Sequence, residues 1–268
     1  VQGRGTQEFV EFVLEPEILR RAVVGYESVL NPDLLLPRIG IDESGKGDFF
    51  GPLCVAGVYV NAEIVAKWTE AGVRDSRAIG SDRRIKELAE LIRATPGAAV
   101  EVVAIGNEAY NRLHSSLRNV NSILAWGHAR VLENLLRRMP AMKPPPVRAV
   151  SDQFAASKRT VERALMALGR QIELVQRHKA ESDLAVAAAS IVARHEFVRR
   201  LAALGRELEL ELPKGAGAAA NETAVRLVER HGVEALRRAS KLHFRNARVF
   251  DRSVAEQRDE AAGERGTG

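Results

Sequence analysis

The chain has 268 residues, 46% of them hydrophobic, with 40 Lys and Arg against 35 Asp and Glu, a net charge of +5 and a pI of about 9.6. That supports one large domain, or one domain plus a small module, and the basic balance favours an acidic partner such as nucleic acid. The single cysteine, Cys54, excludes an intrachain disulfide, and no apolar run reaches the ~18 residues of a membrane span, so a reducing cytoplasmic setting without a membrane partner is expected.

The chain opens on Val1 without a signal-peptide pattern, and sequence preceding it is expected. Residues 1–37 read as a small strand-helix unit. Phe9–Leu14 is strand-like, and Glu15–Leu30 is helix-like with Pro16 in its first turn; Asn31-Pro32 and Pro37 then punctuate the chain. An apolar approach, Leu34 to Ile41, leads into Asp42 and Glu43, a glycine-flanked lysine, and a second apolar run, Leu53–Val60. This predicts strand, tight loop, strand. An amphipathic stretch near Ile64–Ala71 comes next, then Asp75-Ser76-Arg77, and a helix over Asp82–Arg93 with Ser81 as its cap.

Val100–Ile105 alternates as a strand, and Glu108–Leu117 and Val120–Arg138 carry the helical period. The four prolines of Met139–Pro146 demand a loop. Val147–Ser151 predicts a strand ending at Asp152, Val161–Leu168 a helix and Ile172–Val175 the last strand. An alanine-rich helix spans Ser182 to about Leu208. After a loop at Pro213–Gly217, shorter helices are expected at Glu222–His231 and Val233–Ala239. Residues 251–268, charged and poor in large apolar side chains, read as a disordered tail. Strands first and then strands interleaved with helices predict an α/β fold, a mixed sheet covered by helices on its faces.

The chemistry concentrates in Gly40-Ile-Asp-Glu-Ser-Gly-Lys-Gly-Asp-Phe-Phe-Gly-Pro52. Neighbouring side chains of a regular strand point to opposite faces, so Asp42 and Glu43 are expected to share a site only where the strand stops or bends. Gly45 and Gly47 are placed to make that break. Asp152 ends another strand, and Glu181 precedes the alanine-rich helix, whose small side chains permit close packing on the sheet. Acids at two strand ends and one helix start can converge, and their mutual repulsion is relieved by a hard divalent cation. Asp183 is the rival for the fourth place, with a charge that also suits a helix N-terminus. Glycines around Lys46 let the backbone approach a nucleic-acid strand, its amides meeting 2′-hydroxyls and Lys46 a phosphate. Asn119 and Asn121 are candidates for hydrogen bonds to that strand, with helix capping as the equal alternative. His128, His195 and His243 read as core or surface histidines, and Asp48 has no role legible here. Gly40-x4-Gly45-Lys46 imitates a phosphate-binding loop, but Gly47 replaces the required hydroxyl and two carboxylates sit inside it.

The thirteen-residue stretch resembles the ribonuclease HII/HIII group, nearer to ribonuclease HIII with its G-x-D-E-x-G-x-G-D-x-F-G-P pattern. Lys46 leans the same way, since ribonuclease HII enzymes carry arginine in that slot. Asp75-Ser76-Arg77 departs from the group's Asp-Ser-Lys only in the choice of cation. Tyr110-Asn111, Asn119-Val120-Asn121, Ala125-Trp126-Gly127-His128, Pro213–Gly217 and Lys241-Leu242-His243-Phe244 extend the resemblance through roughly Arg38–Arg248.

The resemblance implies a ribonuclease H-like catalytic domain over residues 38–250, with a five-stranded mixed sheet whose first three strands are antiparallel, and a helical C-terminal part. It implies an acidic quartet of Asp42, Glu43, Asp152 and Glu181, with Asp42 bridging two Mg2+ or Mn2+ ions. Gly45, Lys46 and Gly47 would bind substrate. The implied activity is an endoribonuclease on the RNA strand of RNA–DNA hybrids that leaves 5′-phosphate and 3′-hydroxyl ends. Incision at single ribonucleotides in DNA is the neighbouring alternative, and a non-catalytic hybrid-binding module a more distant one. The residues before the acid pair are too few for the platform domain found in ribonuclease HIII, so residues 1–37 are expected to be its remnant, and the protein is expected to be a monomer.

Overall fold

The predicted strand segments form five strands in a computed structural model that describes residues 35–154, 159–177 and 180–247. They are β1 (Arg38–Ser44), β2 (Leu53–Val60), β3 (Ala99–Ile105), β4 (Arg148–Asp152) and β5 (Glu173–Arg177). Their order in the sheet is β3-β2-β1-β4-β5. β1, β2 and β3 pair antiparallel, whereas β4 and β5 run parallel to β1. This is the expected mixed sheet. The strand-helix reading of residues 1–37 falls almost wholly outside the described residues, as does the tail at 251–268. The chain divides into two compact units at Leu36/Pro37, and all five strands belong to the second.

Eight helices are described: α1 (Ala62–Glu70), α2 (Asp82–Ala94), α3 (Asn107–Leu117), α4 (Val120–Leu136), α5 (Arg159–Ala164), α6 (Leu184–Glu207), α7 (Ala218–His231) and α8 (Val233–Ala239). Side-chain caps satisfy several of their first amides: Asn61 accepts from Ile64 at 3.0 Å, Ser81 from Arg84 at 3.4 Å and Asp183 from Ala185 at 2.9 Å. α2 buries Ile85, Leu88, Ala89 and Ile92, one stripe at helical spacing, and packs on α6.

Two glycines set the layer spacing. A Cβ on Gly40 would stand 2.1 Å from the carbonyl carbon of Ala185, so α6 crosses β1 almost backbone to backbone. On the opposite face a Cβ on Gly57 would meet Val131 Cγ1 at 2.4 Å, which is where α4 crosses β2. The run Ala185–Ala193 is buried throughout, as its small side chains foretold. A second cluster, including Phe49, Phe50, Phe197, Leu201, Leu227 and Leu236, ties α7 and α8 to the loop after β1.

Several boundaries differ from expectation. β1 runs to Ser44 rather than stopping at Ile41, because β2 pairs with it through Ser44↔Cys54. The expected helix Val161–Leu168 is α5 followed by a separate turn at Gly169–Gln171, and α6 begins at Leu184 because Ala180–Ser182 is a tighter turn. The proline-rich segment holds one turn, Met139–Ala141, and is fastened by Tyr59, whose hydroxyl donates to the Pro144 carbonyl, and by Asn61 donating to the Lys143 carbonyl at 2.9 Å.

Candidate active site

β1 and β4 end on the same side of the sheet. Their parallel pairing stops at Ile41↔Ser151, so Asp42, Glu43 and Ser44 continue along β2 with their other edge open toward Asp152. The break expected at the two acids is absent. Both nevertheless line one cavity of about 400 Å³, because the departure of β4 opens that edge to either face of β1. Asp152 and Glu181 line it too, with Lys46, Asp75, Arg77, Arg194 and Lys214 around them. The four expected carboxylates thus reach one concavity from three separated segments, and Asp48 and Asp75 line it beside them.

The acids are differently held. Burial, and then the neighbouring Glu43 charge, push the Asp42 carboxyl well above its ordinary range. Burial, the largest influence, would also raise Glu43, but His128, Lys46 and Arg77 together more than offset it, and Glu43 lies below its usual value. His128 is buried on α4 and places Nε2 3.0 Å from Glu43 Oε2; a carboxylate only accepts, so the imidazole donates. Arg77, 70% exposed, reaches Asp75 at 2.7 Å and Glu181 at 2.9 Å. Asp152 Oδ1 accepts a long bond from the Ala180 amide at 3.5 Å. Among the described residues, no three His, Cys, Asp or Glu side chains are gathered closely enough to hold an ion as they stand. The quartet shares a cavity, but Glu181 is turned to Arg77.

Asp183 is elsewhere. Its buried carboxylate takes Arg38 Nε at 2.9 Å, Arg177 at 3.3 Å and the Ala185 amide at 2.9 Å. All of these are fold contacts, and it does not line the cavity.

The glycine loop also borders the cavity. Gly45 has φ +93°, and a Cβ there would sit 2.3 Å from the Pro52 carbonyl oxygen, so glycine is required by the chain itself. A Cβ on Gly47 would meet nothing within 4 Å, so its open side faces only what comes from outside. Lys46 is exposed, its Nζ 6.0 Å from the Phe154 ring centre. Asn119 caps α4 by accepting from the Asn121 amide at 2.9 Å, and neither asparagine lines the cavity. The cap is the contact this structure gives Asn119.

Two residues gain roles that sequence reasoning missed. His128 reads as core from its surroundings in the chain, and it is buried, but it also orients Glu43. Asp48 accepts from the Gly215 amide at 2.6 Å, joining the loop to Pro213–Gly217. Its position inside the densest motif of the chain was the available signal.

The profile described as "Ribonuclease HII" matches residues 39–247. Ribonuclease HIII of Chlamydia pneumoniae is 44% identical over 247 residues, which is 91% of this chain and 79% of that protein. Among solved structures, Bst-RNase HIII in complex with Mn2+ is similar with a TM-score of 0.71 at 35% identity, over 80% of this chain and 68% of that one. RNase H3 of Aquifex aeolicus is similar with a TM-score of 0.62 at 26% identity, over 90% of this chain and 79% of that one. With the profile spanning most of the chain and these likenesses beside it, the chain belongs to the ribonuclease HII family of ribonuclease H-type endoribonucleases, in its ribonuclease HIII branch.

Proposed function

We propose that the chain hydrolyses the RNA strand of RNA–DNA hybrids, with Asp42, Glu43, Asp152 and Glu181 holding two divalent cations, Mg2+ or Mn2+. The observation that carries this reading is the delivery of four carboxylates from three chain segments to one cavity beside the glycine loop. The donor set fits the group. Oxygen ligands suit hard cations, and an Asp42 carboxyl that burial and Glu43 hold toward its protonated form would give up that proton to solvent as a cation took its place. The Mn2+ complex of the similar Bst-RNase HIII adds support.

When bound, the ions would supply Lewis-acid chemistry, lowering the pKa of an attacking water and neutralising charge at the leaving oxygen. The chain's residues do the rest. His128 keeps Glu43 ionised and oriented into the cavity. Gly47 leaves room for a ribose, so that loop amides meet its 2′-hydroxyl, the group that separates RNA from DNA. Lys46, exposed at the rim, neutralises a backbone phosphate. Arg77 balances Glu181 and Asp75 until substrate and cations arrive. The products carry 5′-phosphate and 3′-hydroxyl ends.

The test is cleavage of end-labelled duplexes bearing either one or at least four consecutive ribonucleotides, with Mg2+, Mn2+ or chelator. Cleavage of the longer tract with either ion, lost with chelator, is expected. Cleavage surviving chelation refutes the metal reading. Cutting of the single-ribonucleotide duplex alone moves the chain to the ribonuclease HII activity.

A further inference from the structure

Among the described residues, Lys241 is an unusual charge. It is fully buried, 0% exposed, and among the described residues it has no carboxylate within ion-pair reach. Its ammonium donates instead to two main-chain carbonyls, Asp48 at 2.8 Å and Gly51 at 2.6 Å. Both belong to the loop that carries Gly45-Lys46-Gly47. Burying a lysine charge is unfavourable unless its protons are used, and replacement by an apolar side chain would ordinarily serve packing better. A cation kept here has something to hold.

The surroundings show what it holds. Phe49 donates its amide to the Gly215 carbonyl at 3.0 Å, Gly51 to the Ala239 carbonyl at 3.0 Å, and Lys241 its own amide back to the Phe49 carbonyl at 2.9 Å. Asn107 adds a second donor to the Gly51 carbonyl at 2.9 Å. With Gly51 at φ +78°, the loop turns sharply; without the ammonium the Asp48 carbonyl would lose its side-chain donor and the Gly51 carbonyl would be left with Asn107. The outer face of the same loop borders the carboxylate cavity.

We infer that Lys241 is a positioning residue: from behind, it locks the Gly45–Gly51 backbone in the shape its outward amides and Lys46 need to meet a ribose-phosphate strand. The inference rests on the proposed use of that loop for substrate. It gives the C-terminal helical part a specific task, fixing the substrate loop, beyond covering the sheet. Charged and titratable groups facing the ammonium are Asp48 on the loop, Cys54 on β2, Tyr110 on α3 with its ring centre 5.7 Å away, and His243 two residues on. Burial draws Lys241 down to about 8, against the opposing pull of Asp48 and Cys54. Burial, with His114 and Lys241 nearby, lowers His243 to about 4, so it stays neutral in the working range.

The test uses the full chain with Lys241→Met and Lys241→Gln. Hydrogen exchange at the Phe49 and Gly51 amides is expected to quicken by about tenfold or more in Lys241→Met, the low end for losing a bond to a charged donor. KM for a hybrid should rise by about tenfold with kcat within about threefold, and Lys241→Gln, which keeps a neutral donor, should recover part of the loss. Should Lys241→Met fail to fold, the wild-type protein carries the test. As pH passes about 8 the charged clamp is lost, so KM should rise about threefold by pH 9.5. Over the same window stability should rise, because the unfolded chain still binds the proton that the folded one has released. Unchanged exchange in the variants, or a KM flat across that pH range, overturns the clamp. Absence of hybrid cleavage by the wild type defeats the functional reading, while the exchange arm still judges the clamp.

Discussion

Gly40→Ala isolates the geometry on which the site depends, because Gly40 touches neither cavity nor ligand. The added methyl would lie 2.1 Å from the Ala185 carbonyl carbon, 2.3 Å from the Val186 nitrogen and 2.4 Å from the Ala185 oxygen, all backbone atoms without a rotamer to give way. Restoring an ordinary contact of 3.4 Å requires β1 and α6 to part by about 1.3 Å locally. Overpacking of this kind costs about 1–3 kcal/mol. The functional effect should be larger than the loss of stability, since Asp42 is two residues along the displaced strand and Glu181 lies three residues before the displaced helix. A misplacement of about 1 Å among catalytic groups lowers turnover by roughly 100-fold. The assay pairs a denaturant midpoint with single-turnover hybrid cleavage, and Gly47→Ala is the control for stability, since its Cβ would meet nothing. Wild-type midpoint and rate in Gly40→Ala would refute the close crossing and the dependence of the site on it.

Glu181→Gln and Asp183→Asn should fail differently. The Asp183 variant loses one side of a buried pair with Arg38 and should be destabilised by about 3–5 kcal/mol in a denaturant titration. The Glu181 variant should fold within about 1 kcal/mol of wild type, its pair with Arg77 being largely solvated, yet lose cleavage. A stable, inactive Asp183→Asn beside an active Glu181→Gln would reverse the assignment. Lys46→Ala should weaken hybrid binding and lower the slope of log affinity against log salt by about one, without moving the midpoint. An unchanged slope in a binding titration rules out the phosphate contact.

The acid-glycine stretch was legible because its signals are local. A carboxylate pair, two flanking glycines and a strand on each side lie within one short stretch, and the small side chains of Ala185–Ala193 advertise close packing wherever that helix lies. What escaped was set by distant partners. β1 continues through the acids because β2 pairs with it to Ser44, and a pairing register cannot be read from one strand. The tie between His128 and Glu43 depends on where α4 crosses the sheet, fixed by Gly57 against Val131. Asp48 and Lys241 are 193 positions apart in the chain, and only the folded loop shows why both are polar. Asn119 was ambiguous for the reason that makes it a cap: a short amide serves a helix end and a nucleic-acid strand equally well.

The most direct measurement is Mn2+ binding, monitored by loss of the free-ion paramagnetic signal, for the wild type, Asp42→Asn and Glu181→Gln at neutral pH. The wild type should take up the ion, and each variant should weaken uptake by at least about tenfold, the lower range for removing support from a metal site. Equal binding by all three proteins, or none by the wild type even with hybrid present, would contradict a cation site built from these four acids.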